Sequence, residues 1–308
     1  MIKFWGILSL VLLFGITSCK NIVRKFDQQV HKSYQRNNFV SQSVELGEHQ
    51  VFYYDNKREN VPVMLFLQGF GGDGKISWQK QALAFEEDYR VIIPDILWFG
   101  NSTSKAHPEL TSQIDAINQL IEFLKIDQIH LVGISYGGFI SLGVEQENET
   151  KLASLIIVDS PGVHFSDDEL KIFTDKIGVE KISDAFVPQN SDEVKRMLSF
   201  ASLKPHIFTK DIREQILGFY LSKNPEEQIE MISNLPKNRV QFEDLKIDKP
   251  VLILWGEDDE VFLIDDAKQL QEQLNAELVI IPKAGHSLPV EQPKDFNRAL
   301  RSFIEKVE

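Results

Sequence analysis

Of the 308 residues only one, Cys19, is a cysteine, so no disulfide can form within the chain. No two histidines or cysteines lie at the spacing of one helix face, so the sequence offers no metal-ligand motif and implies no cofactor. Basic residues are scarce beside acidic ones: 33 Lys and Arg against 46 Asp and Glu give a formal net charge of −13. Such a surface disfavours nucleic acid, whose phosphates need a basic footprint. No apolar run approaches the ~20 residues of a spanning helix. The longest, from Phe4 to Ile16, has 13. Repeats and low-complexity tracts are also missing. What remains is the composition of a folded protein, 43% hydrophobic and 26% charged, long enough for one large domain or two modest ones.

The short apolar run follows Lys3 and ends in Ile16-Thr17-Ser18-Cys19. Its length and flanks fit the core of a secretory signal. The sequence up to the cysteine resembles the bacterial lipobox. That resemblance implies that residues 1–18 are removed, that Cys19 is lipidated, and that the chain is anchored to a bacterial cell membrane or outer membrane with its fold outside the cytoplasm. An ordinary signal with a chance cysteine, or an uncleaved anchor, are the plainer readings. Residues 19–38 are polar and mixed in charge, and are expected to form a tether or a short surface helix.

From residue 39 the pattern becomes regular. Alternating or β-branched runs at 39–46 and 49–55 read as strands, and the continuous apolar run "VPVMLFL" at 61–67 as a central strand covered on both faces. Helical and strand patterns then alternate: 77–88 helix, 89–95 strand, 111–126 helix, 128–134 strand, 136–146 helix, 152–159 strand. Such alternation predicts crossover units and a mostly parallel central sheet flanked by helices. Between about 163 and 244 no strong strand pattern is present. The strand pattern resumes with "KPVLILWG" at 249–256. The middle segment is therefore expected to be a helical cap inserted in one α/β domain, whose two parts are 39–162 and 245–308.

One short stretch carries chemistry. "GISYG", Gly133 to Gly137, is G-x-S-x-G between a predicted strand and a predicted helix, the context of a nucleophile elbow. A serine needs a base and a group to orient that base. His286 in "KAGHS" follows the last predicted strand, where the base belongs when the order is serine, acid, histidine. For the acid, the loop after "LILWG" offers Asp258 and Asp259 among its four acidic residues, and Asp159 ends the preceding strand, so the residues alone leave the choice open. An oxyanion needs two N–H donors. Tyr136 offers one, and Phe70, in the loop after "VMLFL", the other.

The stretches "VIIPDILWFGNS", "HLVGISYGGF", "LILWGEDDEVF" and "ELVIIPKAGHSLPVEQP" resemble the α/β-hydrolase superfamily, in particular its capped, monoacylglycerol-lipase-like and esterase-like members. The resemblance runs from about residue 39 to 306. It implies a serine hydrolase acting on a small or lipid-like carboxylic ester through an acyl-enzyme, with Ser135, His286 and Asp259 in their usual roles. Where relatives carry His-Gly before the first oxyanion donor, this chain has Gln68-Gly69. The same residues could serve carbon–carbon, thioester or lactone cleavage, and a non-enzymatic lipoprotein holding a ligand is a further reading. Cap residues such as Phe165, Ile172, Phe173, Met197, Phe200, Tyr220 and Ile232 are candidates to line an acyl pocket.

Overall fold

A computed structural model describes residues 21–148 and 151–308. Residues 1–18 and Cys19, expected to be a signal and a lipidation site, lie outside the described residues. Among those described, no helix is long and apolar enough to cross a membrane.

In chain order the elements are α1 (Ile22–Arg36), β1 (Val40–Leu46), β2 (His49–Asp55), β3 (Val63–Leu67), α2 (Gly74–Phe85), β4 (Arg90–Pro94), β5 (Thr103–Ser104), α3 (Leu110–Phe123), β6 (Ile129–Ile134), α4 (Tyr136–Asn148) and β7 (Leu152–Val158). Five helices follow with no strand between them: α5 (Asp167–Ile177), α6 (Ile182–Phe186), α7 (Ser191–Phe200), α8 (Lys210–Ile216) and α9 (Pro225–Asn238). Then come β8 (Val251–Gly256), α10 (Ile264–Leu274), β9 (Glu277–Ile281), α11 (Leu288–Glu291) and α12 (Pro293–Val307).

The sheet runs β1-β2-β4-β3-β6-β7-β8-β9, with β5 beside β2. Pairings from β4 through β9 are parallel, and those made by β1, β2 and β5 are antiparallel. The period-two alternation of a strand sends its residues into two cores. Leu65 and Leu67 of β3 and Ile253 and Trp255 of β8 join the core beneath α3, α4, α10 and the cap. Met64, Phe66, Leu252 and Leu254 join the core with α1, α2 and α12. Both faces are covered, which is why these strands read as continuous apolar runs. The strands β7 and β8, on either side of the cap, are direct neighbours. The cap is thus an insertion into one sheet rather than a separate unit.

The segment expected as a tether or surface helix is α1, and it is no free tether. Val23, Val30 and Tyr34 are buried. Asp27 pairs with Lys75 of α2 at 2.6 Å and accepts from the Tyr220 hydroxyl of the cap at 3.0 Å. The Tyr34 hydroxyl donates to the Lys75 carbonyl at 2.9 Å, and the Asn21 N–H to Gln215 Oε1 of α8 at 3.1 Å. An amphipathic helix whose Asp27 meets a buried cation of α2 docks rather than swings, because releasing it would take one of the two carboxylates, Asp27 and Asp73, from Lys75 and expose Val23 and Val30.

Candidate active site

Ser135 occupies the single residue between β6 and α4, with φ at +52°. That left-handed conformation is costly for a residue with a side chain, so its surroundings must impose it. They do so through missing side chains. A Cβ on Gly133 would collide with the Gly137 carbonyl oxygen and the Ser141 hydroxyl, and one on Gly137 with the carbonyl oxygens of Leu67 and Gln68. Both glycines of G-x-S-x-G are therefore demanded by the close approach of strand to helix. The Ser135 N–H donates to the Val158 carbonyl at 2.9 Å, and its carbonyl accepts from Gly138 at 2.8 Å. The hydroxyl is left to project beyond the sheet edge.

His286 lies after β9 and Asp259 after β8, both buried. His286 Nε2 is 2.9 Å from Ser135 Oγ and Nδ1 is 2.8 Å from Asp259 Oδ2. The other Asp259 oxygen, Oδ1, accepts from the N–H groups of Val261 at 2.7 Å and Phe262 at 3.2 Å. The carboxylate is thereby held in one orientation, with its free face toward the imidazole.

The other two candidate acids are placed differently. Asp258 is exposed, and its N–H donates to the Ala284 carbonyl at 2.8 Å. Asp159, at the end of β7, is fully buried and also has a positive φ, 43°. One of its oxygens accepts from the Gly256 N–H at 2.8 Å, while Oδ2 has no partner. Burial, and then the charge of nearby Asp259, push its carboxyl well above the ordinary carboxylate range. Asp159 braces the end of β8 through the Gly256 N–H, and Asp259 is the acid brought to His286.

Phe70 follows β3 in a loop where Gly71 and Gly72 take φ values of +103° and +71°, open to glycine at little cost. Gly69 packs its backbone against the elbow, so close that a Cβ there would lie 3.2 Å from Ser135 Cβ. Gln68 is buried, and its side-chain amide donates to the Gly71 carbonyl at 3.4 Å, tying the loop back. Among the described residues, the N–H groups of Phe70 and Tyr136 are spent on no other group.

The cap closes over this edge, leaving two hollows that both reach Ser135. One is a narrow apolar slot of ≈ 30 Å³ walled by Phe70, Phe139, Phe165, Phe173, Ile232 and Phe262, among others. The second, of ≈ 160 Å³, runs past Phe186, Met197, Phe200 and His286 to Pro289 and Val290. Phe165, Phe173, Met197, Phe200 and Ile232 thus become walls as the cap composition suggested. Ile172 does not: it is 67% exposed. Tyr220 lies instead in a polar hollow beside α1, with Asp27, Asp73 and Lys75. Phe186 lines both hollows and sequence reasoning missed it, since nothing in "DAFVP" marks the short α6. The short α11, which brings Pro289 and Val290 to the rim, was missed as well. Its only sequence signal is a proline after Ser287-Leu288.

The family profile of the α/β hydrolase fold matches residues 62–293, most of the chain, and the chain belongs to that family. It is 24% identical over 259 residues to the monoacylglycerol lipase ABHD6 of Bos taurus, covering 80% of this chain and 76% of that one. It is 24% identical over 309 residues to lipase 1 of Psychrobacter immobilis, covering 95% and 94%. The crystal structure of lip1 from Acinetobacter baumannii AYE superposes with a TM-score of 0.79 at 20% identity, over 96% of this chain and 98% of that one.

Proposed function

We propose that this chain is a serine hydrolase that cleaves a carboxylic ester through an acyl-enzyme. The observation that carries the reading is the unbroken line of hydrogen bonds from Ser135 through His286 to Asp259. Ser135 Oγ attacks the ester carbonyl while His286 Nε2 takes its proton. Asp259 holds the ring so that Nδ1 keeps its hydrogen and stabilises the imidazolium that forms. The N–H groups of Phe70 and Tyr136 receive the negative charge on the tetrahedral oxygen. His286 passes its proton to the departing alcohol, and water then releases the acid by the same steps in reverse order. The reaction needs neither a metal nor an organic cofactor. Apolar walls favour an acyl group of some length, which agrees with the lipase names of two relatives.

Ser135→Ala tests this directly. The variant should fold and lose about 10⁴-fold or more in hydrolysis of p-nitrophenyl esters and monoacylglycerols, and should no longer be labelled by a fluorophosphonate. Full activity in that variant, with labelling retained, would sink the reading.

We further propose that the mature chain begins at a lipidated Cys19 and sits outside the cytoplasm on a bacterial membrane. The charged start, the short apolar run and the residues before Cys19 support this. Mass measurement of the N-terminal peptide after membrane fractionation checks it: an unmodified start at Met1 in the soluble fraction refutes it.

A further inference from the structure

The link between α7 and α8, residues 201–209, is Ala-Ser-Leu-Lys-Pro-His-Ile-Phe-Thr. Ile207 is 100% exposed and Leu203 is 37% exposed. Fraying does not explain this, because both ends of the link are braced. The Ser287 hydroxyl donates to the Ala201 carbonyl at 2.6 Å, and the Leu203 N–H to Glu291 Oε2 at 3.0 Å. At the far end Arg213 donates to the Phe208 carbonyl at 2.7 Å. The link is fixed at the rim of the wider hollow, where Ala201 and Val290 are wall residues and Val290 is 45% exposed. Leu203, tied to Glu291, and Val290 thus flank the opening above Ser135, and Ile207 stands four residues beyond Leu203 on the same link.

Charge singles out the same place. From residue 201 to 210 there are Lys204, His206 and Lys210 and no acid, in a chain of net charge −13. The acids nearby include Glu291, held by the N–H groups of Leu203 and Gly285, Asp192, paired with Arg213 at 3.2 Å, and Asp211 and Glu214 on α8. Glu214 lies 3.8 Å from Lys210. An exposed apolar tip flanked by cations is what binds the boundary between headgroups and acyl chains.

A third observation puts the described start of the chain near the same link. The N–H groups of Asn21 and Val23, at the start of α1, both reach Gln215 near the end of α8. Ile207 lies just ahead of the first turn of the same helix. Eight residues, mostly helical, place the two points within roughly 20 Å of each other. A surface touching one can touch the other.

We propose that residues 201–209 seat this chain on an anionic lipid surface, with Ile207 among the acyl chains and Lys204 and Lys210 at the headgroups. The rim opening then faces the bilayer, and an amphipathic ester passes from lipid to Ser135 along Val290 and Met197. The contact stands on the link's own geometry. The passage rests on the ester reading above.

The full chain carrying Ile207→Trp is mixed with vesicles of phosphatidylcholine and phosphatidylglycerol, with and without bromine on the acyl chains. Phe123→Trp is the comparison. Phe123 is 51% exposed and ends α3 ahead of β6, at the sheet edge away from Ser135. The emission that Ile207→Trp adds over the wild-type chain should shift to the blue and be quenched by the brominated lipid, and that of Phe123→Trp should not. Equal quenching at both positions, or none at 207, overturns the proposal. A second variant, Ile207→Asp, should lower hydrolysis of a vesicle-embedded ester about tenfold and leave a soluble short-chain ester unchanged. An equal loss on both esters overturns the passage. If the wild-type chain cleaves neither ester, the ester reading fails, while the quenching still decides the contact.

Discussion

The strands β6 and β8 bury every one of their residues, whereas cap helix α8 buries none. Ser135 is held at the end of β6 by glycine contacts that leave no room for a methyl group. Asp259, after β8, is held by two backbone N–H groups. In the cap the residues facing Ser135 are a loose set of rings, with Phe173, Phe186 and Phe200 packed at centroid distances from 5.2 to 6.0 Å. Reaction geometry must be right to within fractions of an ångström, and it is built where close packing supplies that accuracy. A wall for an acyl group need only be apolar and roughly the right shape.

If that contrast holds, substitutions at the sheet edge should act on every substrate, and substitutions in the cap on some. The largest effect is expected for Asp259→Asn. It keeps the shape but favours the wrong imidazole tautomer, and should cost about 10⁴-fold in kcat on short and long esters alike. Asp159→Asn and Asp258→Asn should each stay within about tenfold, because neither side chain bonds to His286. Steady-state kinetics on all three decides this, and a large loss at Asp159 alone would move the acid to β7.

Next comes a pH effect confined to the sheet. His130 of β6 is buried between Ser154, 2.8 Å from Nδ1, and the Glu308 carboxylate, 3.3 Å from Nε2, and burial, outweighing the carboxylate, lowers its pKa from 6.5 to about 4. Above about pH 6.5 the ring is neutral both folded and unfolded. As pH falls toward 4, the unfolded chain takes up a proton that the folded chain refuses. Stability is therefore lost on acidification, by about 3 kcal/mol in all. Relative to His130→Asn, the wild-type chain should lose that much between pH 6.5 and 4 in urea titrations. A constant difference across that range would show that the ring is not kept neutral by the fold.

The smallest effect belongs to the cap. Phe186→Ala widens both hollows and should change kcat/KM for long-chain esters by about tenfold. Acetate esters should change by no more than about twofold. Equal losses across chain lengths would mean that α6 supports the sheet edge itself, and the contrast between the two regions would weaken.

Much of this was legible from residues 39–308 read in order. The strand read at 128–134 and the helix read at 136–146 fall within two residues of β6 (Ile129–Ile134) and α4 (Tyr136–Asn148). The elbow could be read because Gly133, Ser135 and Gly137 lie within five residues, and short-range backbone geometry fixes what they can do. Local pattern could not separate Asp258 from Asp259, which are adjacent in sequence, or dismiss Asp159. That choice rests on which carboxylate faces a histidine 27 residues farther on, and it follows from the order of β7, β8 and β9 in the sheet. Residues 20–38 read as a tether or a short surface helix because their polar and charged residues suggest solvent, and residues 22–36 form the helix α1. The partners that dock them, Lys75, Gln215 and Tyr220, come from α2 and the cap, up to about two hundred residues away. The sequence by itself determined the elements, the sheet and the serine with its base, because propensity, periodicity and close approach act over a few residues. Only the tertiary structure decided the acid, the walls and the docked helix, because burial and ion pairing act between segments that meet only once the sheet is assembled.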